Sequence, residues 1–148
     1  MHAWHANDNR RLRIVAGVMM MLASTFAIGS VAHIGVVLGV GPLRLREPRI
    51  LAATIVETVC AIALGGGAVG LWTNGRAAWW TAALALAVSL GGVLLGMAAL
   101  AVGAGPRTMT NDLYHVAVLL VLLPLLLWLV WSQSQREAGE DTKRRYDL

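Results

Sequence analysis

Four long intervals of the 148-residue chain are almost bare of charge, and nothing else in the sequence constrains the fold as strongly. No Asp, Glu, Lys or Arg occurs between Arg13 and Arg44, between Arg76 and Arg107, or between Asp112 and Arg136. The interval from Arg49 to Arg76 carries a single charge, Glu57. Each interval can supply the roughly 20 apolar residues that cross a ~30 Å hydrocarbon core. With 57% hydrophobic and 14% charged residues, the chain lacks the polar side chains with which a soluble domain, about a quarter charged, covers its surface. The runs are continuously apolar rather than alternating, so helices, not barrel strands, satisfy the backbone in lipid. The expected fold is all-α, an integral membrane four-helix bundle whose first partner is the lipid bilayer.

The spans are expected at about 14–40, 50–72, 78–103 and 113–131, forming one domain over 14–131. A basic N-terminus (1–13) precedes it and a charged, disordered tail (132–148) follows. Gly41-Pro42 closes the first span, Thr73-Asn74-Gly75 turns the chain after the second, and Gly105-Pro106 breaks it after the third. A signal peptide is the competing reading of Arg10, Arg11 and Arg13 ahead of an apolar run. That run continues to Val40, well beyond an h-region of roughly 7–15 residues, and therefore reads as a span. One cysteine, Cys60, excludes a disulfide framework, a CxxC redox pair and a Cys-rich zinc site. The basic pI of about 10.2 comes from residues at the ends of apolar segments, as membrane topology requires, and nucleic acid is not an expected partner.

Orientation follows from Lys and Arg. Placing the N-terminus, the second loop and the tail on one side collects eight of the twelve there, against four on the other. The expected location is the bacterial cytoplasmic membrane, with both termini cytoplasmic and the 44–49 loop outside. Trp72, Trp79, Trp80, Trp128 and Trp131 fall at the cytoplasmic span ends. For packing, Gly35 and Gly39, Gly66 and Gly70, and Gly92 and Gly96 form GxxxG pairs on the first three helices, where small residues let backbones approach. The fourth span is Leu- and Val-rich with Pro124 inside it, which leaves the Leu120 carbonyl without its usual donor.

Ionisable groups inside spans are costly and mark the candidate site. At 1.5 Å per residue, His33 and Glu57 each lie about 10 Å from the outer ends of their helices. Asn111, Asp112, Tyr114 and His115 form the first turn of helix 4 at the same outer side. Asp112 either orients His115 or caps helix 4. Four chemistries are open to this set: structural hydrogen bonding, a proton-coupled or cation site centred on Glu57, a transition-metal site on His33, His115 and Glu57, or haem ligation by His33 and His115. No i, i+3 or i, i+4 ligand pair fixes a metal geometry. Gly65-Gly66-Gly67 has no following Lys-Ser/Thr and is no phosphate loop, and no serine has a His and acid around it. A non-enzymatic protein is expected.

On Glu57, Ala61, Leu64-Gly65-Gly66-Gly67, Gly70-Leu71, Arg76 and the small-residue helix that follows, the stretch 48–100 resembles the DoxX-like group of small four-helix membrane proteins. The resemblance implies a bacterial inner-membrane protein of a kind sometimes associated with quinone-linked or thiol redox systems. It supplies no catalytic residue. The functional expectation is an accessory or small-ligand-binding membrane protein acting in a homo-oligomer or membrane complex. Its alternatives are a haem- or metal-binding redox protein and a proton-coupled small transporter.

Overall fold

The computed structural model describes residues 3–40, 43–45, 47–73 and 78–146, with side chains described for 10–37, 39, 44, 47–73, 78–135 and 138. Gly41-Pro42, Asn74-Gly75 and Arg76 lie outside the described residues. Four helices make the architecture: α1 (Ala3–His33), α2 (Leu51–Thr73), α3 (Ala78–Ala101) and α4 (Met109–Tyr146). Each contains a stretch long and apolar enough to cross a membrane. Neighbours in sequence pack side by side, α1 on α2, α2 on α3 and α3 on α4. Tyr114 brings α4 back to α1: its ring meets Phe26 edge-on at 6.1 Å, and its hydroxyl donates to Thr25 Oγ1 at 3.2 Å.

The buried stripe of each helix has the three- and four-residue spacing of one helical face. On α1 it runs through Leu12, Val15, Ala16, Met19, Leu22, Phe26, Ser30 and His33. On α2 it is Glu57, Cys60, Leu64, Gly67, Ala68 and Leu71, and on α3 Ala78, Ala82, Ala85, Leu86, Ser89 and Val93. Small and polar side chains share the inward faces with large apolar ones, while Ile55, Ile62, Leu84 and Leu95 are exposed. Where the surroundings are as apolar as the core, close backbone approach decides which face packs.

Several expected boundaries move. The first helix stops at His33, and Gly35, at φ +94°, takes the left-handed conformation that ends it. Gly39 then lies in a short antiparallel ribbon, β1 (Leu38–Val40) with β2 (Leu43–Leu45), paired Gly39↔Arg44. Residues 34–40 are therefore not helical, and the pair Gly35/Gly39 is no helix-packing motif. The third helix ends at Ala101 in a Schellman arrangement: the Gly103 amide donates to the Leu100 carbonyl and the Ala104 amide to the Ala99 carbonyl, with Gly103 at φ +82°. At the other end α4 runs on through Pro124 and past Trp131 to Tyr146, over a segment expected to be disordered. The Ser132 and Ser134 hydroxyls return to the carbonyls of Trp128 and Trp131. Good helix formers follow them (Gln135, Arg136, Glu137, Ala138), so nothing local breaks the helix.

Of the remaining glycine expectations, two hold a helix contact. A Cβ on Gly92 would lie 2.9 Å from Cys60 Sγ, and one on Gly70 would lie 3.1 Å from Thr81 Oγ1, both between α2 and α3. Gly66 faces open space, and a Cβ on Gly96 would meet only His115 Nε2 at 3.9 Å. Gly67 and Gly29 carry tight contacts instead. A Cβ on Gly67 would stand 2.8 Å from Met19 Cε and 3.0 Å from Ala85 Cβ, at the meeting of α1, α2 and α3.

Candidate functional site

The site lies where the end of α1 meets the start of α2. The Ile50 amide donates to the His33 carbonyl at 3.0 Å, which sets the register of the two helices. Ser30 adds a second tie: its Oγ stands 2.7 Å from Thr58 Oγ1, and Thr58 itself donates to the Thr54 carbonyl. Ser30 Oγ also lies 3.2 Å from the Thr54 carbonyl, so the two hydroxyls and that carbonyl form one network across the helix pair. His33 is the last residue of α1, whereas Glu57 is nearly two turns into α2, so the equal depths read from the sequence do not hold. The side chains still meet. Cα–Cβ bonds lean toward each helix's own N-terminus, and in antiparallel helices this tilts His33 and Glu57 toward one another.

His33 Nε2 faces Glu57 Oε1 at 3.7 Å, with both side chains 5% exposed. Behind the carboxyl lies the backbone of α1: a Cβ at Gly29 would fall 2.9 Å from both Glu57 oxygens. Gly29 is the site residue that composition and spacing did not single out. The signal was present, since Gly29 precedes His33 by four residues and shares its face. Glu57 Oε2 is buried and has no hydrogen-bond partner.

The imidazole tautomers follow from their partners. His33 Nδ1 stands 3.3 Å from the Pro48 carbonyl, and His115 Nδ1 stands 2.8 Å from the Asn111 carbonyl. A carbonyl only accepts, so both Nδ1 atoms carry hydrogen. Both Nε2 atoms are then left as acceptors in the neutral ring.

Two cavities of about 250 Å³ each meet at these residues. The first is bounded by α2, α3 and α4 with Phe26 and His33 of α1, its polar groups being His33, Glu57, Asn111 and His115 and its apolar walls including Val56, Gly92, Gly96 and Leu100. The second lies between α1 and α4, with Thr25, Glu47, Thr110, Asn111 and Tyr114 on its rim. His33, Glu57 and Asn111 line both. Ala52 and Leu95, exposed on the outer faces of α2 and α3, also line the first cavity. Ala104, exposed in the loop after α3, lines it too, so the cavity reaches the surface both at the bundle wall and at that loop.

His33, Glu57, His115, Asn111 and Tyr114 thus share one end of the bundle, and Asp112 does not join them. Its carboxylate is taken by Arg107 Nε at 2.6 Å on the partly exposed rim. The cap expected of it comes from Thr108, whose Oγ1 accepts from the Asn111 amide at 3.2 Å. For metal binding, no cluster of three His, Cys, Asp or Glu with suitable geometry occurs among the described residues. No protein-family model, curated protein or solved structure matches the chain.

Proposed function

We propose that this chain is a multi-pass protein of the bacterial cytoplasmic membrane, of the DoxX-like kind, that binds a small lipid-soluble ligand at Glu57. The observation that carries the reading is Glu57 Oε2: a carboxyl oxygen, buried and without a partner, on a side chain that lines a largely apolar cavity. An unsatisfied buried acceptor costs on the order of 1–3 kcal/mol, and a bound ligand removes that cost. The lateral opening at Ala52 and Leu95 suits entry from the hydrocarbon. Exposed Ile28, Ile62, Leu84 and Leu127 on the four outer faces support the membrane setting. Exposed Trp72, Trp80 and Trp131 at the opposite end from Glu57 support an interfacial belt there.

Two experiments test this. In membranes, a small aryl diazirine photolabel is expected to insert into residues lining the α2–α3–α4 cavity. Gly96→Leu, which adds a side chain at the cavity wall with its Cβ 3.9 Å from His115 Nε2, should reduce this labelling about tenfold and leave the melting temperature unchanged. Equal labelling in the two proteins would overturn the binding site. For topology, cysteines introduced as Leu45→Cys and Glu140→Cys in a Cys60→Ala background should react from outside and inside the cell, respectively. Reaction of residue 140 but not residue 45 with an impermeant external reagent would reverse the orientation.

A further inference from the structure

The polar groups of the cavity are unbalanced in one direction. Glu57 brings carboxyl oxygens, of which Oε2 has no partner. His33 and His115 have spent their Nδ1 hydrogens on the carbonyls of Pro48 and Asn111, so each brings an acceptor Nε2. Glu57, His33 and His115 are respectively 4%, 4% and 7% exposed. Among the described residues, neither cavity is lined by a Lys or Arg. Beyond any proton carried by Glu57 or His33, a ligand that only accepts hydrogen bonds has one donor in the first cavity, the Asn111 side-chain amide. A ligand that donates several has three waiting acceptors.

His33 and Glu57 constrain the charge as well. With His33 Nδ1–H committed, Nε2 and Glu57 Oε1 face each other as two acceptors at 3.7 Å, beyond direct hydrogen-bond reach. In the empty site a proton must reside on one of the pair, as carboxylic acid or as imidazolium, because a bare carboxylate against a lone pair is repulsive. A primary ammonium group performs the same service and more. Its three N–H bonds equal in number the acceptor groups lining the cavity, the Glu57 carboxylate, His33 Nε2 and His115 Nε2, and an apolar body would lie beside Val56, Gly92 and Gly96.

Resting on the binding reading above, we infer that the ligand is a lipid-soluble primary amine, held as its ammonium ion in exchange for the proton of the His33–Glu57 pair. The exchange is electroneutral: the cation enters the cavity, the proton leaves, and no net charge is added to a low-dielectric site. The departing proton passes into the second cavity, which shares His33 and Glu57 and reaches Glu47 on the linker. Among the described residues, the titratable groups that interact with Glu57 or share a cavity with it are His33 from α1, Glu47 from the linker, Cys60 from its own helix, and Tyr114 and His115 from α4. None of these is a permanent cation that would compete with the ligand, and α3 contributes no titratable residue.

The test uses the full chain in lipid nanodiscs, with the aryl diazirine as reporter and four competitors sharing one body. These are 2-phenylethylammonium, its N,N,N-trimethyl analogue, 2-phenylethanol and 3-phenylpropionate. The ammonium compound is expected to displace the label at a concentration about tenfold or more below the alcohol, and the trimethyl cation to do no better than the alcohol. Glu57→Gln should abolish that preference while the label still enters. Calorimetry in two buffers of different ionisation heat should show about one proton released per ammonium bound. If the alcohol or the carboxylate competes as well as the ammonium, or no proton is released, the amine assignment fails while the cavity remains a binding site. If the diazirine does not label the cavity at all, the binding reading fails with it.

Discussion

Gly67→Leu is expected to destabilise the bundle in detergent by about 3 kcal/mol, the upper end of what overpacking a close-packed site costs. The first added carbon already stands 2.8 Å from Met19 Cε, 3.0 Å from Ala85 Cβ and 3.2 Å from Ala82 Cα. Met19 can swing its terminal methyl away, but the Ala82 backbone cannot move without displacing α3. Gly66→Leu, one residue earlier, should change stability by no more than about 0.5 kcal/mol, because that position is exposed and its Cβ meets nothing within 4 Å. Equilibrium unfolding of the two variants beside the parent protein checks both. Equal shifts, or a larger one at Gly66, would mean that α2 is rotated from the orientation described.

The second large effect is at Glu57, and it depends on what replaces the carboxyl. Glu57→Leu leaves His33 Nε2 buried and facing an alkyl group, and it puts methyl groups where the carboxyl lies flat against Gly29. A cost of about 3 kcal/mol is expected, that of breaking a buried polar pair from one side. Glu57→Gln keeps the shape and offers an amide N–H to Nε2, so its cost should stay within about 1 kcal/mol. His33→Leu combined with Glu57→Leu should cost less than the two changes added together, by about 1–3 kcal/mol, since no stranded acceptor remains. Unfolding midpoints of the four proteins decide the matter. Strict additivity would show that the two side chains do not act on each other.

These outcomes separate stability from binding. Glu57→Gln is expected to be nearly as stable as the parent yet to have lost its preference for an ammonium ligand, because an amide has no charge to match. Gly96→Leu is expected to be stable and closed. A protein in which the polar cluster served only to hold helices together would show neither dissociation.

Much of the cluster was legible before any coordinates. Ionisable side chains are expensive in hydrocarbon, so His33, Glu57 and His115 stand out against an apolar background and can be expected to turn inward. What misled was depth. The apolar run continues to Val40 and gives no sign that helix α1 ends at His33. Gly35 is compatible with a helix interior in composition, and only its positive φ reveals the stop. Asp112 misled for a related reason: its spacing suits an interaction with His115, but Arg107 reaches it first across the loop.

The chain's four helices and their approximate spans were determined by the sequence alone, because the absence of charge over some twenty residues leaves a backbone few other ways to satisfy itself in an apolar setting. The rotation of each helix about its axis was not. In a soluble protein the polar face announces itself by periodicity, but where every face is apolar the pattern carries no such mark. Gly66 and Gly67 read alike in sequence, yet one meets open space and the other two side chains and a backbone atom of two neighbouring helices. Only the packed structure chose between them, since what selects the inward face is how closely two particular backbones can approach. The same rotation brings Glu57 to His33 and Gly29 and leaves its second oxygen without a partner.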